Sequence, residues 1–516
     1  MKRFYITTPI YYPNAKPHIG TAYSTIVADI FQRYHKLFGR ETYFLTGTDE
    51  HGQKIQKAAE DRDLTPLQHC DEMAENYKVA WKDLEIEYDH FFRTTDEWHK
   101  LSVQKCLQKL MDKGEIYSDT YEGWYSVSEE IFYTDKEVVD GKSPSGRDVV
   151  RIQEKNYFFK MSKYQQALID YIESHPGFIE PEVRKNEVLG FLRQPLGDLC
   201  ISRPKSRLSW GIELPFDRDY VCYVWFDALL NYATAVGLER PGMESQFANW
   251  WSSPEAGAHH ILGKDILTTH AVYWPTMLMA LGLPLPRKIF AHGWILNKDN
   301  AKMSKSQGQL ATPKDFTDII GVEPLRYFLT REIHFGNDAP ISIELVINRV
   351  NNDLANNIGN LLSRSTNLIV KYFDGKAPQG SDTDAATEKL KKLATDTAAK
   401  VQDRIEAFDP SRALEAITDL LNEANRFLEE KAPWTRAKTD VDQAGRDLYS
   451  AIEVLRISGI LLKPVLPTKM DELLNRIGAN RSDFAAAQCW GLTAPGTLIE
   501  KGDPLIPRVE MPKDAV

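Results

Sequence analysis

Cysteine is scarce and scattered: five residues in 516, Cys70, Cys106, Cys200, Cys222 and Cys489, no two spaced as a short metal knuckle or a redox pair. They read as buried thiols. Long apolar runs are missing as well. None approaches the roughly 20 residues a helical membrane span needs, so no membrane partner is expected. The first residues, MKRFYITTPIYYP, enter a strand-like pattern directly and leave no room for a signal peptide, so the chain reads as cytosolic, that is cytoplasmic. Excess positive charge is also absent. The net charge of -10 argues against a surface coated by nucleic acid, although a local basic groove is compatible with it. What remains, 42% hydrophobic and 26% charged residues without an internal repeat, is ordinary globular composition, long enough for two to four domains.

Strand-like runs at Phe4 to Thr7, Thr42 to Leu45, Tyr220 to Trp225, His260 to Leu262 and Lys288 to His292 each end in a polar or glycine-rich turn. Helical patterns lie between several of them: Ile19 to Phe38, with Ile26, Ile30, Tyr34 and Phe38 at fours, and Ile266 to Leu281. This alternation predicts an α/β fold with a doubly wound, Rossmann-like parallel sheet. An aromatic and charged segment with a hairpin-like turn at Gly141 to Gly146 interrupts the sheet and predicts a small inserted α/β domain. After about Gly336 long helical periodicity takes over, broken by a loop at Asp374 to Asp384 and by the Ala432-Pro433 step, which predicts an α-helical bundle. The expected division is 1–115 and 214–340 for the two halves of the sheet domain, 116–213 for the insertion and 341–516 for the helices. The proline-bearing tail GDPLIPRVEMPKDAV is expected to lie extended on the surface.

In TPIYYPNAKPHIGTAYSTIVADIF a short strand ends at Pro9 and a helix begins near His18, which puts His18, Gly20 and Thr21 at a helix N-terminus. Such an end attracts anions. Gly20 lets a phosphate or ribose approach the backbone, and an imidazole and a hydroxyl add donors. Alone, a histidine before a glycine at a helix start serves more often as a cap or core residue. In GWILNKDNAKMSKSQG, Lys302 and Lys305 occupy a short polar loop after the last strand, placed to neutralise a triphosphate; a solvated lysine loop is the plain alternative. Together and in this order, HIG and KMSKS resemble the two signatures of class I aminoacyl-tRNA synthetases. GTDEHG (Gly47 to Gly52), VWFDALLNY (Val224 to Tyr232), HILGKDILTTHAVYWP (His260 to Pro275) and HGW (His292 to Trp294) resemble the methionyl-tRNA synthetases in particular. Each lies at or just after the C-terminal end of an expected strand, the edge where open α/β sheets bind ligands.

The resemblance implies a ligase that adenylates L-methionine with ATP and passes it to tRNA(Met), initiator and elongator. The methionine carboxylate displaces pyrophosphate in line at the α-phosphorus, and the enzyme contributes positioning and charge stabilisation. Catalytic roles fall to Lys305, Lys302 and His18, with Mg2+ accompanying ATP; Gly20, Thr21, Gly263, Asp265, His292, Gly293 and Trp294, with the two lysines, complete the ATP site. The signature usually ends in a second histidine. Thr21 stands there, and its hydroxyl donates a hydrogen bond without carrying positive charge. Ile10, Tyr12, Trp225, Ala228, Leu229, Tyr232, Ile266 and His270 are implied to line the methionine side chain, and Asp49 to pair with its ammonium group. Spacing supports part of this pocket independently: Trp225, Ala228 or Leu229 and Tyr232 share one helix face, as do Ile266, His270 and Trp274. Sulfur–aromatic contacts are worth about 0.3–1.5 kcal/mol each, which suits a thioether. Aromatic residues at helical spacing are also what a plain core requires.

Many relatives fold the insertion around zinc held by Cys-x-x-Cys knuckles, one following a segment like Gly123-Trp124-Tyr125. Here Ser126 and Glu129 stand at the cysteine positions and no cysteine lies between Cys106 and Cys200. No structural zinc is expected, which leaves Trp124, Ile131, Phe132, Tyr157, Phe158 and Phe159 to hold the insertion together. Among the helices, Asn351, Asn352, Asn356, Asn357 and Asn360 crowd one segment despite mediocre helix propensity, pointing to inter-helix hydrogen bonds or a partner that needs amide groups. GNLLSR and EEKAPW resemble the segments with which the family reads the CAU anticodon. That assigns Asn360, Arg364 and Trp434 to polar-edge and stacking contacts with bases; without the resemblance they read as a polar stripe and a packed corner. No appended oligonucleotide-binding domain of the kind that dimerises some relatives follows, so a monomer is expected. Two rival readings exist: a different class I synthetase and a non-catalytic relative. The isoleucine, leucine and valine enzymes carry a larger editing insertion than this chain accommodates, and a cysteine enzyme wants zinc ligands. A non-catalytic RNA-binding relative lacks Lys302, Lys305 or Asp49, all of which are present.

Overall fold

The computed structural model describes residues 2–126, 131–133, 138–253, 255–297, 312–333, 336–380 and 382–512. Strands β1 (Arg3–Tyr11), β2 (Glu41–Thr48), β3 (His90–Arg93), β4 (Ile179–Glu180), β5 (Ala258–Gly263) and β6 (Lys288–His292) form one parallel sheet in the order β3-β2-β1-β5-β6-β4. Successive side chains feed two cores. Phe4, Ile6, Phe44, Ile261 and Phe290 join the helix Ile19–Leu37 on one face. Tyr5, Leu45, Leu262, Ile289 and Ala291 join the helices Glu97–Asp112, Val224–Thr234 and Trp274–Leu281 on the other. The period-2 alternation with both faces apolar is what a doubly wound sheet demands. Pro9 cannot donate to a ladder. It falls where the β1–β2 register shifts, between Thr7 and Ile10, so the end of β1 leaves regular pairing as it reaches the sheet's upper edge.

The expected strand at Tyr220 to Trp225 is corrected. Asp217–Cys222 pairs antiparallel with Ser202–Pro204 in a separate three-stranded sheet, and Val224 already opens the helix Val224–Thr234. Tyr-Val-Cys-Tyr-Val-Trp favours extended backbone along its whole length, and packing against the second core, not local preference, ends the strand at Cys222. Two strands of the parallel sheet, β3 and β4, were not anticipated.

Between β3 and β5 the chain builds a four-stranded antiparallel sheet from Ile131–Tyr133, Ile116–Ser126, Val150–Phe159 and Leu199–Cys200, in that order. Tyr157 and Phe159 are buried and Phe158 stacks on Tyr117 at 5.7 Å; Glu129 and the side chains of Ile131 and Phe132 lie outside the described residues. Gly141 and Gly146 both take positive φ at the expected turn.

Beyond residue 340 the chain is helical. Ile343–Val350 continues through a π-helical stretch, Asn351–Gly359, into Asn360–Phe373; Ala385–Glu406, Pro410–Lys431 and Val441–Leu462 follow. The last is buried on every side from Leu448 to Leu462, as the central rod of a bundle must be. One apolar core runs without a break from the sheet's first face into this bundle.

Candidate active site

Strand order reverses between β1 and β5, the neighbours at the middle of the sheet. Open α/β sheets bind ligands above such a switch point, at the carboxyl ends of the strands. Ile10 lies at the end of β1 and Tyr12 just after it, Asp49 follows β2, Gly263 ends β5 with Asp265 two residues on, and His292 ends β6 with Gly293 and Trp294 following.

His18 caps the helix Ile19–Leu37. Its Nδ1 accepts from the backbone N–H of Gly20 (3.0 Å) and Thr21 (3.3 Å), while the Thr21 hydroxyl accepts from His18 N–H at 3.0 Å. Gly20 leaves room for this ring: a Cβ there would stand 3.0 Å from His18 Cε1 and press it aside. An imidazole that accepts at Nδ1 carries its proton on Nε2, so the exposed ring presents an N–H donor beside the helix's positive end. Thr21 therefore completes a capping box, a role open to a hydroxyl and served without positive charge.

On the far side of the crevice, His292 Nδ1–H donates to Gly293 O at 2.7 Å, so Nε2 accepts from the Ser24 hydroxyl at 2.7 Å. Burial pushes His292 below its ordinary pKa, which keeps this arrangement neutral. The ring bolts the end of β6 to the helix that carries His18. Trp294 N–H donates to Asp338 Oδ1 at 2.8 Å, Lys264 Nζ donates to Asp338 Oδ2 at 2.7 Å, and Lys264 lies 4.1 Å over the Trp294 ring. Exposed Asp265 stands beside them, with Trp294 Nε1–H directed at Oδ1 over 3.4 Å. An aromatic face with a nearby carboxylate offers a place for a base and for ribose hydroxyls.

The third group is apolar. Ile10, Tyr12 and Trp225 pack against buried Ala228 and Tyr223 in a small cluster of their own, while Leu229, Tyr232 and Ile266 belong to the second core. Tyr232 hydroxyl donates to His270 Nε2 at 2.7 Å, because His270 Nδ1–H faces Ile266 O at 3.0 Å. Burial holds His270 down to about 4 and His260 well below its ordinary value, so both rings are neutral at pH 7. His260 lies 4.3 Å from the Tyr232 ring, accepts from Trp274 Nε1–H at 3.2 Å and faces Thr7 Oγ1 at 2.7 Å. Asp49 is 3% exposed, its N–H donates to Tyr11 O at 2.9 Å, and its charge raises the Tyr232 hydroxyl's pKa after burial has done most of that work.

Two family models match the chain in tandem: tRNA synthetases class I (M), over residues 4–149 and 139–366, and the anticodon binding domain of methionyl tRNA ligase, over residues 377–510. A methionine-tRNA ligase of Caldanaerobacter subterraneus subsp. tengcongensis is 44% identical over 99% of this chain and 80% of its own length. The chain belongs to the methionyl-tRNA synthetases. The Clostridium acetobutylicum methionine-tRNA ligase is likewise 44% identical, over 99% of this chain and 79% of its own. Methionyl-tRNA synthetase of Mycobacterium tuberculosis, solved in complex with methionyl-adenylate, shares 37% identity and a TM-score of 0.92 over 98% of this chain and 100% of that one.

The helices, within the stretch matched by the anticodon binding domain model and just before it, carry a distinct cluster. Arg364 lies 4.5 Å over the Trp434 ring and donates to Glu429 Oε1 at 2.7 Å. Asn360 donates to Asn425 over 3.4 Å and Asn425 donates to Asn357 at 2.8 Å, so two of the five crowded asparagines, Asn357 and Asn360, serve inter-helix bonding. Lys302 and Lys305 lie outside the described residues. Sequence reading missed Ser24, Lys264, Asp338, His260 and Arg203, the last 3% exposed and 3.9 Å over the Tyr223 ring. Each is a long-range partner, visible only once the strand ends converge.

Proposed function

We propose that the chain activates L-methionine with ATP and transfers it to tRNA(Met), initiator and elongator. The observation that carries this is the convergence of three groups on one sheet edge: a helix N-terminus with a fixed Nε2–H donor, an aromatic-carboxylate group, and an apolar pocket beside buried Asp49. ATP, entering with its magnesium ion, sets its adenosine against Gly263, Asp265, His292, Gly293 and Trp294 and its phosphates over Gly20 and Thr21. His18 donates to the transferring phosphoryl group, and Lys302 and Lys305 neutralise the leaving pyrophosphate. Asp49 holds the ammonium group, and Ile10, Tyr12, Trp225, Ala228, Leu229, Tyr232, Ile266 and His270 enclose the thioether. The carboxylate oxygen then bonds to the α-phosphorus as the bond to pyrophosphate breaks. A tRNA hydroxyl subsequently takes the acyl group and AMP leaves.

ATP–pyrophosphate exchange against methionine, isoleucine, leucine, valine and cysteine tests this: only methionine is expected to support it. Asn360, Arg364 and Trp434 read the anticodon, supported by the cation–π pair. Trp434→Ala is expected to lower aminoacylation about tenfold, the worth of a lost base stack, and to change tRNA-independent exchange less than about twofold. Equal loss in both assays sinks that assignment. The insertion holds without zinc, supported by its donor set: Ser126 is no zinc ligand, and no cysteine lies between Cys106 and Cys200. Metal analysis of the purified enzyme is expected to find no stoichiometric zinc; one tightly bound equivalent refutes it.

A further inference from the structure

Asp227 stands two residues from Trp225 on the helix Val224–Thr234, which turns it to the opposite side of that helix, where it is fully buried. Two histidines hold it. His51 Nδ1 is 2.6 Å from Oδ2 and His99 Nε2 is 2.7 Å from Oδ1. Both histidines are buried. His99 Nδ1 also meets Thr234 Oγ1 at 2.8 Å, so that ring grips the helix at two points. Burial alone would raise the Asp227 carboxyl, but the charge and hydrogen bonds of His51 and His99 outweigh it and bring it to about 2; Asp227 is a carboxylate at neutral pH.

His51 follows Asp49 by two residues in the turn after β2, and the rest of that turn is anchored as firmly. Fully buried Glu50 accepts from Thr48 Oγ1 at 2.7 Å and Arg93 Nε at 2.6 Å, and its carbonyl accepts from Trp210 Nε1–H at 2.5 Å. These bonds fix the turn to the sheet and the insertion. Only the His51–Asp227 bond in this set ties it to the helix that carries Trp225, Ala228, Leu229 and Tyr232.

We propose that Asp227 is a positioning residue for methionine activation: a buried clamp, through His51 and His99, that sets the spacing between the Asp49 turn and the helix lining the thioether pocket. The proposal rests on the assignment of the methionine site to those residues. Ammonium and thioether are recognised by segments distant in sequence, so methionine is bound by both only if their separation is fixed before it arrives. An asparagine at 227 keeps the shape but turns an N–H2 toward one of the two imidazole N–H donors, leaving a buried donor unpaired and the clamp open on one side.

The test is ATP–pyrophosphate exchange by full-length Asp227→Asn, with methionine and ATP varied separately. The KM for methionine is expected to rise on the order of tenfold, while the KM for ATP stays within about twofold. His51→Gln is expected to show the same split. The double variant is expected to be no worse than Asp227→Asn alone, because both substitutions break one link. A parallel rise in both KM values, a loss confined to kcat, or no change overturns the clamp. If Asp227→Asn does not fold, His51→Gln carries the same decision. Asp49→Asn separates the levels: if it leaves the methionine KM unchanged, the site assignment fails and takes the proposal with it. If it raises that KM and the clamp variants do not, the clamp alone fails.

Discussion

Gly293→Ala is expected to lower ATP–pyrophosphate exchange about 100-fold, with a raised KM for ATP and a methionine KM within about twofold of the parent. The cause is steric and lies in backbone, not in a side chain that could swing aside. A Cβ at this position would stand 2.2 Å from the carbonyl carbon and oxygen of Asn337 and 2.4 Å from Asp338 N. Ordinary contact needs about 3.5 Å, so the two segments must part by more than about 1 Å. Asp338 goes with them, and its carboxylate is what Trp294 N–H and Lys264 Nζ both hold. The aromatic-carboxylate group then loses its geometry, and a displacement of about 1 Å at a reacting centre costs about 100-fold. Gly190→Ala and Gly197→Ala, where an added Cβ meets nothing within 4 Å, are the controls and are expected to leave exchange unaltered. An unchanged ATP KM in Gly293→Ala would remove the adenosine from this end of the crevice.

The parts of this fold and site that sequence makes legible are those whose physics is local. A helix start needs its cap within three residues, so His18, Gly20 and Thr21 could be placed at one. Parallel strands buried on both faces read as continuous apolar runs, which located β1, β2, β5 and β6. β3 has four residues and β4 two, too short for any period to register, and both sit at the edges of the sheet. The motif GTDEHG drew attention to Asp49, but nothing in the sequence pairs His51 with Asp227, 176 positions away, or Ser24 with His292, 268 away. Such bonds are consequences of topology, and only the strand order supplies them. The same limit explains Tyr220 to Trp225, where the residues that favour a strand stay the same across the point at which packing starts a helix.

Arg326 is where the largest loss of stability is expected. The side chain is fully buried at the junction of sheet, connecting helices and bundle. Its Nη2 donates to Asp29 Oδ2 at 2.6 Å, on the same helix that His18 caps; Nη1 donates to Leu84 O at 3.2 Å; and Nε donates to Val465 O at 3.1 Å, just beyond the helix Val441–Leu462. Tyr34 reinforces the junction by donating to Leu461 O at 2.9 Å. Arg326→Met keeps much of the volume but leaves the buried Asp29 carboxylate with Arg33 as its cation, 2.8 Å away, and strands several carbonyls without a donor. Breaking a buried pair from one side costs about 3–5 kcal/mol, because the remaining charge stays desolvated. The measurement is the denaturation midpoint in urea, followed by a probe in each region. Adding Asp29→Asn to Arg326→Met removes the buried carboxylate that has lost one of its two cations, so the double variant is expected to be more stable than the single one. If Arg326→Met shifts the midpoint by less than about 1 kcal/mol, the pair is no more than a surface-strength contact. If the double variant is the weaker of the two, the cost comes from lost packing and not from the carboxylate left with Arg33 alone.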